Sequence, residues 1–219
     1  MEKNKKDWRA IIIYLACFFG IQIIGGFVAG FLGQATDASE EALTKIIVLV
    51  TVISYIVTFS IMVAVYFKHL SEECKRLNKN NVIVIIVGTI AILVMNYLIT
   101  NILVAYNVDM ANQDAVTNSM NYYRPLMALS IALFAPVVEE MTFRYSISTL
   151  IDNNIAFVII SSMIFAILHG VGIVTFLYAL MGAGLAIIYL KTNKNVVASS
   201  LVHMLNNLAG LLMMLIMVR

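Results

Sequence analysis

Long apolar runs, continuous rather than alternating, limit what this chain can fold into. Seven stand out, at roughly 10–32, 46–67, 82–105, 126–150, 155–172, 173–190 and 196–218. A helix needs about 20 apolar residues to cross the hydrocarbon core of a bilayer. Of the 219 residues, 62% are hydrophobic and 12% charged, against about half and about a quarter in soluble domains. A soluble fold of this size has too little interior to hide that apolar surface. Strands of an outer-membrane barrel would alternate over about ten residues. The pattern therefore predicts an all-α, polytopic membrane bundle of about seven transmembrane helices, with residues 1–219 as one membrane domain. Cys17 and Cys74 suggest no disulfide framework.

The N-terminal "MEKNKKDWR" precedes an apolar run longer than a signal-peptide core, and no A-x-A site follows it, so it reads as a retained signal anchor. With the N-terminus inside, cytoplasmic segments hold Lys3, Lys5, Lys6, Arg9, Lys68, Lys75, Arg76, Lys79, Lys191 and Lys194, and the opposite side holds Lys45, Arg124 and Arg219. Basic residues collect on the cytoplasmic side of membrane proteins, which predicts an N-terminus in, a C-terminus out and a plasma-membrane location. The polar stretch between spans three and four, ending "NYYRP", reads as an external loop or interfacial helix anchored by Tyr122, Tyr123 and Arg124. Gly26 and Gly30 form a G-x-x-x-G pair, read as ordinary packing within the chain, and the "GAG" at Gly182 to Gly184 is read as packing that lets span six approach the helices expected to carry the site.

Few strongly polar groups remain inside the spans: Glu139, Glu140 and Arg144 on span four, His169 ending span five, and His203, Asn206 and Asn207 on span seven, with Gln22, Asn96 and Asn101 as weaker cases. Ionisable groups at the bilayer centre cost a few kcal/mol each or more, so they are functional candidates. Alone, a Glu–Arg pair or a single His in a membrane helix is better explained as a packing device. Together, carboxylates, imidazoles and amides are the groups that activate water and stabilise an oxyanion. Glu140 and Arg144 are four apart and share a helix face, which predicts an ion pair. Glu139 lies about 100° around the helix, free to face the interior as the reacting base, with Glu140 and Arg144 orienting it. Pro136, lacking an N–H, is placed to kink this helix. His203 and Asn207 share a face, with Asn206 as a weaker alternative; Phe165 shares a face with His169 as a packing partner.

E-E-x-x-x-R at Glu139, Glu140 and Arg144, F-x-x-x-H at Phe165 and His169, and H-x-x-x-N at His203 and Asn207 together resemble the CAAX-protease and bacteriocin-processing enzyme family, also called the Abi family. The resemblance covers about 125–210, the expected catalytic core. It implies an intramembrane endopeptidase acting on a membrane-associated peptide or protein, in peptide maturation or bacteriocin self-immunity. It also implies that Glu139 and His169 activate the attacking water, while His203 and Asn207 polarise the scissile carbonyl. Expected partners are that substrate and the lipid bilayer, not nucleic acid.

The cofactor is either none or a divalent metal such as zinc. Glu139, His169 and His203 form a two-histidine, one-carboxylate set of the catalytic zinc type, yet H-E-x-x-H is absent, and a dry carboxylate beside an imidazole can act as a general base without an ion. Alternatives of another class are a non-catalytic immunity protein and a small ion-coupled transporter, the latter lacking any inverted repeat. Counting ~1.5 Å per residue puts Glu139 and His203 roughly 10 Å from the cytoplasmic edge and His169 about 20 Å from it. A shared site then requires a tilted or dipping span, or an interfacial turn at 145–155.

Overall fold

The computed structural model describes residues 6–108, 116–170 and 172–217. Lys3, Lys5, Arg219 and residues 109–115 of the external stretch lie outside the described residues, so part of the charge asymmetry and of that loop does too. The described residues are helical with no strands. Six helices are long and apolar enough to cross a membrane: α1 (Arg9–Thr36), α2 (Glu40–Lys75), α3 (Lys79–Ala105), α4 (Arg124–Leu150), α6 (Val174–Lys191) and α7 (Val196–Met217). The fifth apolar run forms α5 (Asn154–His169), which has only 16 residues. At 1.5 Å per residue it falls short of a full crossing of the core. The chain is an integral membrane protein, a polytopic helical bundle in contact with lipid.

Polar residues set the helix starts. The Ser39 hydroxyl accepts from the Ala42 N–H at 3.2 Å, with Glu40 and Glu41 in the first turn of α2, satisfying free N–H groups and complementing the helix dipole. Asn78 and Asn81 form a reciprocal capping box on α3. Asn153 accepts from the N–H groups of Ile155 and Ala156 and so restarts the chain as α5. The helix of span four continues through Leu150, so the turn expected within 145–155 is confined to 151–153. Glu139 therefore lies eleven residues, about 16 Å, from the end of its helix, deeper than a turn beginning at 145 would put it. His169 lies fifteen residues, about 22 Å, from the start of α5 on the same count, so the difference in depth shrinks from about 10 Å to about 6 Å.

Helix α4 is the most buried of the spans. Val138, Met141 and Phe143 on it pack with Phe165, Leu185, Tyr189 and Val202 in the main core. Helices α5 and α6 form a close hairpin at Gly182, where a Cβ would stand 3.0 Å from Ser162 Cα and 3.3 Å from Ser162 O. Gly184 instead faces Ile92 on α3. The G-x-x-x-G pair of α1 behaves differently from expectation. A Cβ at Gly26 or Gly30 would meet nothing within 4 Å, whereas Gly25 and Gly33 lie against Val50 and Leu43. Packing of α1 on α2 uses the neighbouring face, and Phe27 and Phe31 point outward, 77% and 71% exposed.

Two polar knots fasten one end of the bundle. Asp7, just before α1, is buried. Its carboxylate accepts from Arg9 Nη2 at 2.6 Å, Tyr66 Oη at 3.0 Å and Tyr145 Oη at 3.3 Å. Its N–H donates to Thr149 Oγ1 at 2.9 Å, and its carbonyl accepts from Ser146 Oγ. The start of α1 is thus tied to α4 immediately beyond Arg144. In the second knot, Arg76 bridges Glu73 and the Asn193 carbonyl, and Asn195 Nδ2 donates to the Glu73 carbonyl.

Candidate active site

Helix α4 is not a regular α-helix. It contains two π-helical stretches, Ser130–Phe134 and Met141–Ser146, separated by the α-helical segment Ala135–Glu140 that carries both glutamates. Such bulges are common at functional sites because they re-aim the side chains beside them. The first has a visible chemical cause. The Ala135 N–H, which would serve Ile131 O in an α-helix, bonds to Ser130 O instead. Position 136, the next candidate donor, is a proline without an N–H. The kink expected from Pro136 thus takes the form of a freed carbonyl at Ile131, and Asn207 Nδ2 on α7 donates to it at 3.0 Å.

Glu139 and Glu140 are both buried, with 4% and 0% exposure. Their oxygens face different partners, as their angular separation on the helix predicts. Glu140 Oε2 lies 3.3 Å from Arg144 Nε, one turn on, and Oε1 lies 3.2 Å from His203 Nδ1. The Arg144 guanidinium also sits over the Phe165 ring, 5.1 Å from its centroid. Glu139 Oε2 is approached by two imidazoles, His169 Nε2 at 3.7 Å and His203 Nε2 at 3.8 Å. The two histidines come from different helices and meet on one carboxylate oxygen.

The second nitrogen of each ring is occupied, which fixes the direction of the first. His169 Nδ1 donates to Phe165 O at 2.7 Å across the last turn of α5. The Phe165 ring stacks on the imidazole at 4.1 Å and 27°, and Tyr178 of α6 covers it at 5.1 Å. A ring held by Nδ1–H to a carbonyl presents Nε2 as its free, basic nitrogen when neutral. His203 Nδ1 is given to Glu140, so its Nε2 also points at Glu139. The separations near 3.7 Å exceed a direct hydrogen bond. The His169 side chain, 21% exposed, is the most open of the four, whereas Glu139 and His203 are within 5% of closed. The cluster is therefore reached past the end of α5.

Of the residues singled out from sequence, Glu139, Glu140, Arg144, His169 and His203 converge on this cluster. Asn207 lies one turn from His203, but its recorded bonds go to the Ile131 carbonyl and to Asn206. Tyr178 was not signalled by any spacing, because its place beside His169 is set by the α5–α6 hairpin. No group of three His, Cys, Asp or Glu among the described residues is arranged to hold an ion. Ligands about 2.0–2.1 Å from one tetrahedral ion stand roughly 3.3–3.4 Å apart, closer than the 3.7 and 3.8 Å found here. The residues do not fit a shared ion as placed, and no step is derived through one.

Residues 121–209 match the family model for Rce1-like type II CAAX prenyl endopeptidases, bearing out the resemblance drawn from the motifs over that segment. The chain is also 27% identical over 139 residues to the UPF0177 protein YajF of Lactococcus lactis subsp. lactis (strain IL1403), covering 61% of this chain and 68% of the relative. No solved structure matches.

Proposed function

We propose that this chain, Rce1-like over residues 121–209, is an intramembrane endopeptidase that hydrolyses a peptide bond of a membrane-associated peptide or protein. The observation that carries the reading is the approach of two imidazole Nε2 atoms to one buried carboxylate oxygen, Glu139 Oε2. A carboxylate and a neutral imidazole facing one small space can hold a water between them and take its proton as it attacks. Glu139 and His169 fill that role. His203, its Nε2 turned to the same space, serves the carbonyl oxygen as charge develops on it, and Asn207 supplies the second donor. Glu140, held by Arg144, fixes the His203 ring by its Nδ1, the orienting part of a nucleophile–base–orienter set. The proton taken from water then passes to the leaving amine.

The N-terminus faces the cytoplasm in this proposal, the membrane is the plasma membrane, and the biological role is peptide maturation or bacteriocin self-immunity. The test is mass spectrometry of membrane-associated peptides from cells carrying the wild-type chain or Glu139→Gln, each with and without chelator. Cleavage products present only with the wild type are expected, unchanged by chelator. Identical peptide sets from two equally folded proteins would sink the protease reading; altered solute flux in sealed vesicles would point to a transporter instead.

A further inference from the structure

Three side-chain amides form an unbroken series from α3 through α7 to α4. Asn96 Nδ2 donates to Asn206 Oδ1 at 2.8 Å, Asn206 Nδ2 to Asn207 Oδ1 at 3.3 Å, and Asn207 Nδ2 to Ile131 O at 3.0 Å. An amide has a donating end and an accepting end, so each link constrains the next. The direction is dictated at the α4 end. A backbone carbonyl can only accept, so Asn207 must turn its NH2 toward Ile131 and its oxygen toward Asn206. Asn206 must then turn its NH2 toward Asn207 and its oxygen toward Asn96. The α3 end holds the series from the other side: Asn96 enters it through its NH2, which pins Asn206 Oδ1, while its own Oδ1 is buried with no hydrogen-bond partner among the described residues. The carbonyl that begins this ordering is available only because Ala135 N–H goes to Ser130 O and position 136 is proline.

We infer that Asn96 and Asn206 are positioning residues that lock the Asn207 amide with its NH2 directed at α4. The locked NH2 has two hydrogens and Ile131 O takes one. The other remains for a substrate carbonyl, on a side chain one turn from His203. This rests on the protease reading for its catalytic consequence, while the locking itself does not. It also gives α3, which lies outside the Rce1-like segment, a part in the site. The amides act through Asn207 and touch no reacting atom.

Two readouts test it separately. In micelles containing asparagine-labelled full chain, the Asn207 side-chain amide is assigned by its loss in Asn207→Leu. Asn96→Leu, which removes the far donor without touching Asn207, is expected to shift or broaden that signal, and Asn96→Gln, which keeps a donor, to restore it in part. An Asn207 signal unchanged in Asn96→Leu overturns the relay whatever the activity. With a peptide whose cleavage depends on Glu139, Asn206→Leu is expected to lower kcat by about 10²-fold, the scale of a lost oxyanion donor, and to leave KM within about twofold. A changed KM at constant kcat, or full turnover, overturns the positioning role even if the amide signal moves. Absence of any Glu139-dependent product counts against the protease reading alone, since the amide signal still decides the locking.

Discussion

His203 stands between two carboxylates, its Nδ1 3.2 Å from Glu140 Oε1, while the other side of its ring faces Glu139. Glu140 in turn stands between His203 and Arg144, and both members of the Glu140–Arg144 pair are wholly buried. Losing one member leaves the other as an unpaired charge in the bundle interior, which costs about 3–5 kcal/mol. Glu140→Leu is therefore expected to lower the thermal unfolding midpoint in detergent sharply. The double variant Glu140→Leu/Arg144→Leu is expected to recover much of that loss while remaining inactive. Equal destabilisation by the single and double variants would contradict this.

Asn207 and Pro136 form a testable couple. Asn207→Leu strands the Ile131 carbonyl, a cost of about 1–3 kcal/mol for a buried unsatisfied group. In a Pro136→Ala background an N–H returns five residues beyond Ile131, where a π-helical bond can use it. There the cost of Asn207→Leu is expected to fall below about 1 kcal/mol. A double-mutant cycle on denaturation free energies measures the difference, and simple additivity would refute the account of the freed carbonyl.

The α5–α6 hairpin gives a steric prediction. An added methyl at Gly182 would press on the Ser162 backbone at 3.0–3.3 Å, which no rotamer change relieves. Gly182→Ala is expected to cost about 1–3 kcal/mol as overpacking and to lower activity by moving His169, which ends α5. Gly26→Ala, on an open face, is the control and is expected to leave both unchanged. Unfolding midpoints of the two variants, measured side by side, check this.

At low pH the N-terminal knot should loosen. Burial pushes the Asp7 carboxyl up, but the hydrogen bonds from Arg9 and Tyr66 outweigh it and bring its pKa from 3.8 down to about 2. A carboxyl with a lowered folded-state pKa adds stability that is complete above about pH 4 and disappears as the pH falls toward 2. The contribution is at most about 2 kcal/mol. Unfolding midpoints measured between pH 5 and pH 2 are expected to fall less steeply for Asp7→Asn than for the wild type. Parallel curves would remove Asp7 from the explanation.

What was legible in the sequence follows the range of each interaction. The Glu140–Arg144 pair could be read directly because helix geometry fixes residues four apart. Phe165 against His169 was legible for the same reason. The meeting of His169 with His203 on Glu139 depends on how three helices tilt, and spacing alone placed the two imidazoles at different depths. Residue-counting assumed regular helices; two π-helical stretches change the count, while the helix ends at Leu150 where the apolar run did. The bonds of Asp7 to Tyr145, Ser146 and Thr149 join positions about 140 apart in the chain, beyond any local pattern. The outward G-x-x-x-G face was misread because glycines on both faces of α1 carry the same signature, and only the neighbouring Gly25 and Gly33 meet α2.

The Asp7 knot has a practical consequence for engineering. Grafting 121–209 onto a foreign membrane anchor would strip Tyr145, Ser146 and Thr149 of the backbone and carboxylate they hold, one residue past the arginine that steadies the site. Chimeras in this protein should therefore exchange whole loops on the opposite end, because Asp7 fastens the approach to α1 onto the helix that carries both glutamates.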